Sequence, residues 1–117
     1  LLVDDEDIVR NTTSMILQRF GMEVTEAENG HQAIEQFEKS PESFSLVLLD
    51  LTMPNMSGVE LFKHLRERYR EIPILLMSGY DPSLSAQELL EDKKALFLQK
   101  PFRPHQLKDQ LANLLAN

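Results

Sequence analysis

The chain has 117 residues, 42% hydrophobic, 7% aromatic and 26% charged, which fits one globular domain and excludes disordered, collagenous or coiled-coil sequence. With no cysteine it carries no disulfide scaffold, thiolate nucleophile or Cys-ligated metal. Nineteen acids against twelve Lys and Arg leave a net charge of −7 without a basic block, which argues against nucleic-acid binding, and no apolar run reaches the ~20 residues of a membrane span. The chain opens on Leu1 and runs straight into an apolar stretch, with no charged leader or cleavage site. It reads as one domain, residues 1–117, cut from a longer chain.

Leu1-Leu2-Val3 is a short strand that stops at Asp4-Asp5-Glu6-Asp7. Ile8, Thr12, Met15, Ile16, Arg19 and Phe20 then recur at helical spacing and predict an inward stripe, ended by Gly21. Met22 to Ala27 predicts a second strand. Asn29 with Gln32 three residues later predicts a helix start, with Ala33, Ile34 and Phe37 inward, and Ser40-Pro41 ends that helix. Phe44 to Leu49 is almost continuously apolar, as in a central parallel strand covered on both faces. Ser57-x-x-Glu60 is a capping box for a helix from Gly58 to Tyr69, with Val59, Phe62 and Leu65 inward. Ile72 to Met77 predicts the fourth strand, and Asp81-Pro82 introduces a short, irregular helix over Leu84 to Leu90. Ala95 to Leu98 predicts the fifth strand. Pro104 opens a last helix, with Leu107, Leu111, Leu114 and Leu115 as its inner stripe.

Strands alternating with helices predict an α/β fold, a parallel sheet wrapped on both faces. Right-handed crossovers bring every strand's C-terminal end to one edge, where such folds place their sites. Asp4-Asp5, Asp50, Ser78 and Lys100 each sit at a strand end, so carboxylates, a hydroxyl and an ammonium should share one shallow pocket. Two like charges ~4 Å apart repel by roughly 4 kcal/mol at an effective dielectric of ~20. The cluster therefore needs counter-charge beyond Lys100, and all-oxygen ligands suit a hard divalent ion, Mg²⁺ above all. Such a site is equipped to receive a phosphoryl group, with Asp50 as the attacking carboxylate.

The segments Leu2-Val3-Asp4-Asp5-Glu6, Val47-Leu48-Leu49-Asp50-Leu51-Thr52-Met53-Pro54-Asn55-Met56-Ser57-Gly58, Met77-Ser78-Gly79 and Lys100-Pro101-Phe102 together resemble the receiver domain of two-component response regulators. The resemblance implies a flavodoxin-like, CheY-like doubly wound sheet of five parallel strands, order 2-1-3-4-5, with five helices. It implies that Asp50 is the phosphoacceptor and that Asp4, Asp5, Asp50 and the backbone carbonyl of Thr52 hold Mg²⁺. Ser78 would hydrogen-bond the phosphoryl group and Lys100 would contact its oxygens. Ser78 and the aromatic Phe97 would form the switch, and the Lys100–Pro101 bond would be cis. Thr52 and Tyr80 flank the site and would modulate attack by water, with bulky Tyr80 slowing it.

On this reading the chain is a phosphoryl-accepting switch rather than an enzyme, and it loses its own phosphoryl group by hydrolysis. Its partner is a histidine kinase or histidine phosphotransfer domain. Its output is a change in the face made by the fourth helix, fifth strand and fifth helix, through which homodimers could also form. No nucleic-acid contact or membrane insertion is expected, and the implied location is cytoplasmic. Met77 to Tyr80 and Phe97 to Phe102 look more like the C-terminal receiver of a hybrid sensor histidine kinase than one driving a DNA-binding domain.

Other readings fit less well. A flavin-binding domain of the same fold would need a Ser/Thr/Gly-rich phosphate loop where Asp4 to Asp7 stand. An Asp-nucleophile phosphatase would want a second acid two residues after Asp50, where Thr52 stands. A degenerate receiver would not need all five polar positions. His31, His64 and His105 sit singly among polar neighbours, as surface residues do.

Overall fold

In the computed structural model the residues described are 1–51, 58–78 and 94–116. The apolar runs form β1 (Leu2–Val3), β2 (Glu26–Ala27), β3 (Val47–Asp50), β4 (Ile74–Ser78) and β5 (Ala95–Gln99). Between and after them lie α1 (Asp7–Arg19), α2 (Gly30–Lys39), α3 (Gly58–Arg68) and a C-terminal helix, Pro104–Leu115. All strand pairs are parallel, in the order β2-β1-β3-β4-β5, so the expected flavodoxin-like sheet is the one found. The helix expected at Leu84–Leu90 and the capping residue Ser57 lie outside the described residues.

Alternation along each strand divides the core in two, because successive side chains leave opposite faces of a pleated sheet. Val3, Val47, Leu49, Ile74 and Leu76 pack with Ala33 and Phe37 of α2 and Leu61, Phe62 and Leu65 of α3. Leu2, Leu48, Leu75 and Met77 pack on the other face with Leu17 of α1 and Leu107, Leu111 and Leu114 of the C-terminal helix. Burial of β3 and β4 on both faces is why their sequences read as continuous apolar runs.

The helix signals hold at several ends. Asn29 Oδ1 accepts from Gln32 N at 2.8 Å, and Gln32 Oε1 accepts from Glu28 N at 2.6 Å. After α1, Gly21 takes a φ of 86° while its N–H and that of Met22 bond back to Gln18 and Leu17, a left-handed stop that glycine adopts without strain. The Lys100–Pro101 bond is cis.

Three expectations are corrected. The predicted inner stripe of α1 is mostly outside: Ile8 is 82% and Met15 57% exposed, Thr12 and Arg19 are exposed as well, and Phe20 stands at the exposed margin. Only Ile16 of that set packs on the core. The buried face is instead Arg10, Thr13, Ser14 and Leu17, because the Arg10 guanidinium is drawn inward by oxygen acceptors and two small side chains face the molecule. In the C-terminal helix Leu115 is 49% exposed, one position off the 107/111/114 stripe. Finally, Met22 to Thr25 are not part of β2, which is only 2 residues long; Met22 and Val24 pack on the core beside the edge strand instead.

Candidate functional site

Parallel strands of this sheet end together, and the register shows which residues meet. Asp50 pairs with Met77 and Ser78 with Gln99, while Leu51 N donates to the Met77 carbonyl at 2.8 Å and Lys100 N to the Ser78 carbonyl at 2.7 Å. Asp4 follows β1, its N–H donating to the Ala27 carbonyl at 3.1 Å. The backbone ladder thus delivers Asp4, Asp50, Ser78 and Lys100 to one rim, as the strand-end rule predicts.

Asp4, Asp50 and Ser78 are buried, at 0%, 2% and 4% exposure. Buried carboxylates require partners. Lys100 Nζ supplies them, 2.8 Å from Asp4 Oδ2 and 3.3 Å from Asp50 Oδ2. Burial pulls the pKa of Lys100 down, but its hydrogen bond to Asp4 and the charges of Asp50 and Asp4 outweigh that, and the net shift is upward. The ammonium is therefore charged at neutral pH. Asp4 Oδ1 also accepts from Glu6 N at 3.0 Å, which leaves each Asp4 oxygen further lone-pair capacity.

Asp4, Asp5, Glu6 and Asp50 each offer one carboxylate oxygen, and all four atoms lie within 4.8 Å of one another. One ammonium does not balance that charge. Asp5 Oδ1 is shut away from solvent with no hydrogen-bond partner among the described residues, which is expensive unless a cation occupies the space it faces. An orphaned carboxylate oxygen in an all-oxygen donor set fits a hard divalent cation such as Mg²⁺.

Glu6 was not among the expected site residues. It sits at the N-cap of α1, but its side chain makes no capping bond and lies with the cluster. The acidic run after β1 was the available signal; nothing in the spacing separates Glu6 from Asp7. Asp7 instead leaves the cluster to pair with Arg10 at 2.6 Å. Gly58 was also missed. It starts α3 hard against the end of β3, its N–H donating to the Leu51 carbonyl at 3.1 Å, and any Cβ there would collide with the Asp50 carbonyl oxygen and Leu51 Cα. Only glycine allows this approach to the segment carrying Asp50.

Phe97 lies on β5 opposite Leu76, partly buried against the core, and its carbonyl accepts from Gln110 Nε2 at 2.9 Å. Thr52 and Tyr80 lie outside the described residues. Beside the acids opens a groove of about 820 Å³ that runs from Asp50 and Lys100 to Ile8, Ile16 and Phe102. Polar chemistry at one end thus passes directly into an apolar wall on α1.

Comparison with known proteins gives a consistent picture. Residues 1–112 match the family described as the response regulator receiver domain. The sensor kinase CckA of Brucella abortus is 37% identical over 115 residues, which cover 98% of this chain but 12% of that protein. The transcriptional regulatory protein SrrA of Staphylococcus aureus is 33% identical over 107 residues, covering 92% of this chain and 43% of that protein. The chain therefore spans less than half the length of either relative. Among solved structures, the Vibrio cholerae chemotaxis protein CheY4 superposes with a TM-score of 0.88 at 32% identity, covering 97% of this chain and 95% of that one.

Proposed function

This chain belongs to the response regulator receiver domains of two-component systems, and from that premise we propose that Asp50 accepts a phosphoryl group from a phosphohistidine on a histidine kinase or histidine phosphotransfer domain. The observation that carries this reading is the position of the Lys100 ammonium, 2.8 Å and 3.3 Å from two buried carboxylates that Asp5 and Glu6 join within one cluster.

In the reaction an Asp50 carboxylate oxygen attacks phosphorus, the P–N bond breaks, and the imidazole leaves with its electron pair. Lys100 donates to the phosphoryl oxygens as their charge grows, and the Ser78 hydroxyl does the same from the end of β4. Asp4, Asp5, Asp50 and the backbone carbonyl of Thr52 would hold Mg²⁺, with Glu6 close enough to add charge. When bound, the metal supplies neutralisation of the anionic oxygens and a fixed orientation for them. The product is a mixed anhydride. Water attack on its phosphorus restores the carboxylate and releases inorganic phosphate, so the signal ends without a second protein. Tyr80 and Thr52 would govern access of that water, and replacing Tyr80 with Ala should speed the decay.

The output is a surface. Ser78, drawn toward the phosphoryl group, would vacate space into which Phe97 turns, changing the face that includes β5 and the C-terminal helix. The same face could pair two copies. The donor would approach along the groove, seating apolar side chains against Ile8 and Ile16 while its phosphohistidine reaches Asp50. Similarity to a sensor kinase supports a receiver within a hybrid kinase; a cytoplasmic position and the lack of nucleic-acid contact are part of the same proposal, the latter resting on the net charge of −7. Among the described residues no helix is long and apolar enough to cross a membrane.

Acetyl phosphate with Mg²⁺ should label the domain, and both chelation and Asp50→Asn should abolish the label while circular dichroism stays that of the parent. Undiminished labelling of the variant would refute the assignment.

A further inference from the structure

Arg10 is buried on α1, with 9% of its side chain exposed, and takes no part in the phosphoryl chemistry described above. Its Nη1 donates to the Asp4 carbonyl at 2.8 Å, Nη2 to Asp7 Oδ1 at 2.6 Å and Nε to Glu26 Oε1 at 3.2 Å, with Glu28 Oε1 at 3.9 Å from Nη2. The guanidinium thus binds three elements at once: the exit of β1, the first turn of α1 and the β2 edge. Asp7 and Glu28 are largely exposed, at 75% and 64% of their side chains, and ion pairs of that kind contribute little and need no buried arginine. The bond that requires burial is the one to Asp4.

That bond has a geometric consequence. The carbonyl of Asp4 and the Cα of Asp5 belong to one planar peptide group, so fixing the oxygen fixes the plane from which the Asp5 side chain springs. The sheet cannot do this alone. β1 ends at Val3, and the last backbone bond on the way to the acids is Asp4 N to Ala27 O. Beyond it, Asp5 Oδ1 is the buried atom with no partner among the described residues. The bond from Glu6 N to Asp4 Oδ1 also spans this peptide, but it lies within the same short segment and ties it to no other element. Glu26, on the other side, anchors the guanidinium to β2.

We propose that Arg10 is a positioning residue of the metal site: by gripping the Asp4–Asp5 peptide between α1 and the edge strand, it aims the Asp5 carboxylate and thereby sets the affinity for the divalent cation. The inference rests on the metal site proposed above. Partners that orient a ligand in this way typically change metal affinity by ~10- to 100-fold when removed. A purely structural arginine would instead lower the stability of the apo domain and leave the affinity of the folded fraction unchanged.

Mg²⁺ titration by calorimetry separates these cases, run on the parent, Arg10→Met, Arg10→Lys, Asp7→Asn and Asp50→Asn, with folding of each checked by circular dichroism. Arg10→Met should weaken Mg²⁺ binding by ~10-fold or more, and Arg10→Lys should fall between it and the parent, since one ammonium can reach the carbonyl without the other anchors. Asp7→Asn keeps the Asp4 contact and should stay within about threefold of the parent, the scale of a screened surface charge. Parent-like affinity in folded Arg10→Met overturns the proposal. If that variant does not fold, parent-like affinity in Arg10→Lys overturns it. A loss in Asp7→Asn equal to that in Arg10→Met would assign the effect to net field rather than to the peptide grip, and also overturns it. Failure of the parent itself to bind Mg²⁺, or undiminished binding by Asp50→Asn, would strike the metal site and not Arg10 in particular.

Discussion

Lys100 shows how much one side chain holds at this rim. It stands between Asp4 and Asp50, both buried, and pairs with each of them. Removing one partner of a buried pair strands the other's charge, so Lys100→Met should cost about 3–5 kcal/mol in urea unfolding. Added Mg²⁺ should recover part of that loss, because it binds only where the acids are assembled. The pH dependence follows from the raised pKa of Lys100. A cationic group whose folded pKa lies above its unfolded value of ~10.4 stabilises fully at lower pH and ceases to do so as pH climbs through the folded value. The parent should therefore lose stability on the far alkaline side, while Lys100→Met, less stable at neutral pH, should show a flatter alkaline arm. Parallel curves would contradict the ion pair.

At the scale of elements, much of the site was legible because strands end where their apolar runs end. Asp50, Ser78 and Lys100 could be assigned to one edge from topology alone, and the register agrees. What the sequence concealed was orientation. A stripe through Ile8, Thr12, Met15, Ile16 and Phe20 has the right period for a core face, yet α1 turns most of it outward. Periodicity gives the angle between side chains, not which way they point, and here the buried bond from Arg10 to the Asp4 carbonyl, with small Thr13 and Ser14 facing the molecule, outweighs the apolar pattern. Glu6 was hidden for a related reason: in an acidic helix start, only the fold decides which acid turns to the rim. Gly58 was read as a helix start, whereas its necessity comes from contact with a distant strand. Gly58→Ala should destabilise the domain by about 1–3 kcal/mol through that overlap and shift the Asp50 backbone, seen as altered amide resonances at residues 50 and 51. A neutral substitution would mean that α3 can move away freely.

For the whole molecule, exposed Ile8 lines the groove beside Asp50, and exposed Met15 follows it on α1 outside the groove. Under the proposed function, Ile8 with its neighbour Met15 is where an apolar part of the donor would rest. If the phosphodonor rests there, Ile8→Asp and Met15→Asp should slow transfer from a phosphohistidine protein by roughly fivefold or more. Labelling by acetyl phosphate, which needs no docking, should be unchanged. Equal loss with both donors would place the defect in the site instead of the surface. The proposed function has topology assemble a phosphoryl acceptor at residue 50 from side chains far apart in sequence. Its most direct test is mass mapping of the domain after exposure to acetyl phosphate and Mg²⁺. A single alkali- and hydroxylamine-labile phosphoryl group on the peptide containing Asp50 is the predicted result; modification at a histidine or at any other acid would contradict it.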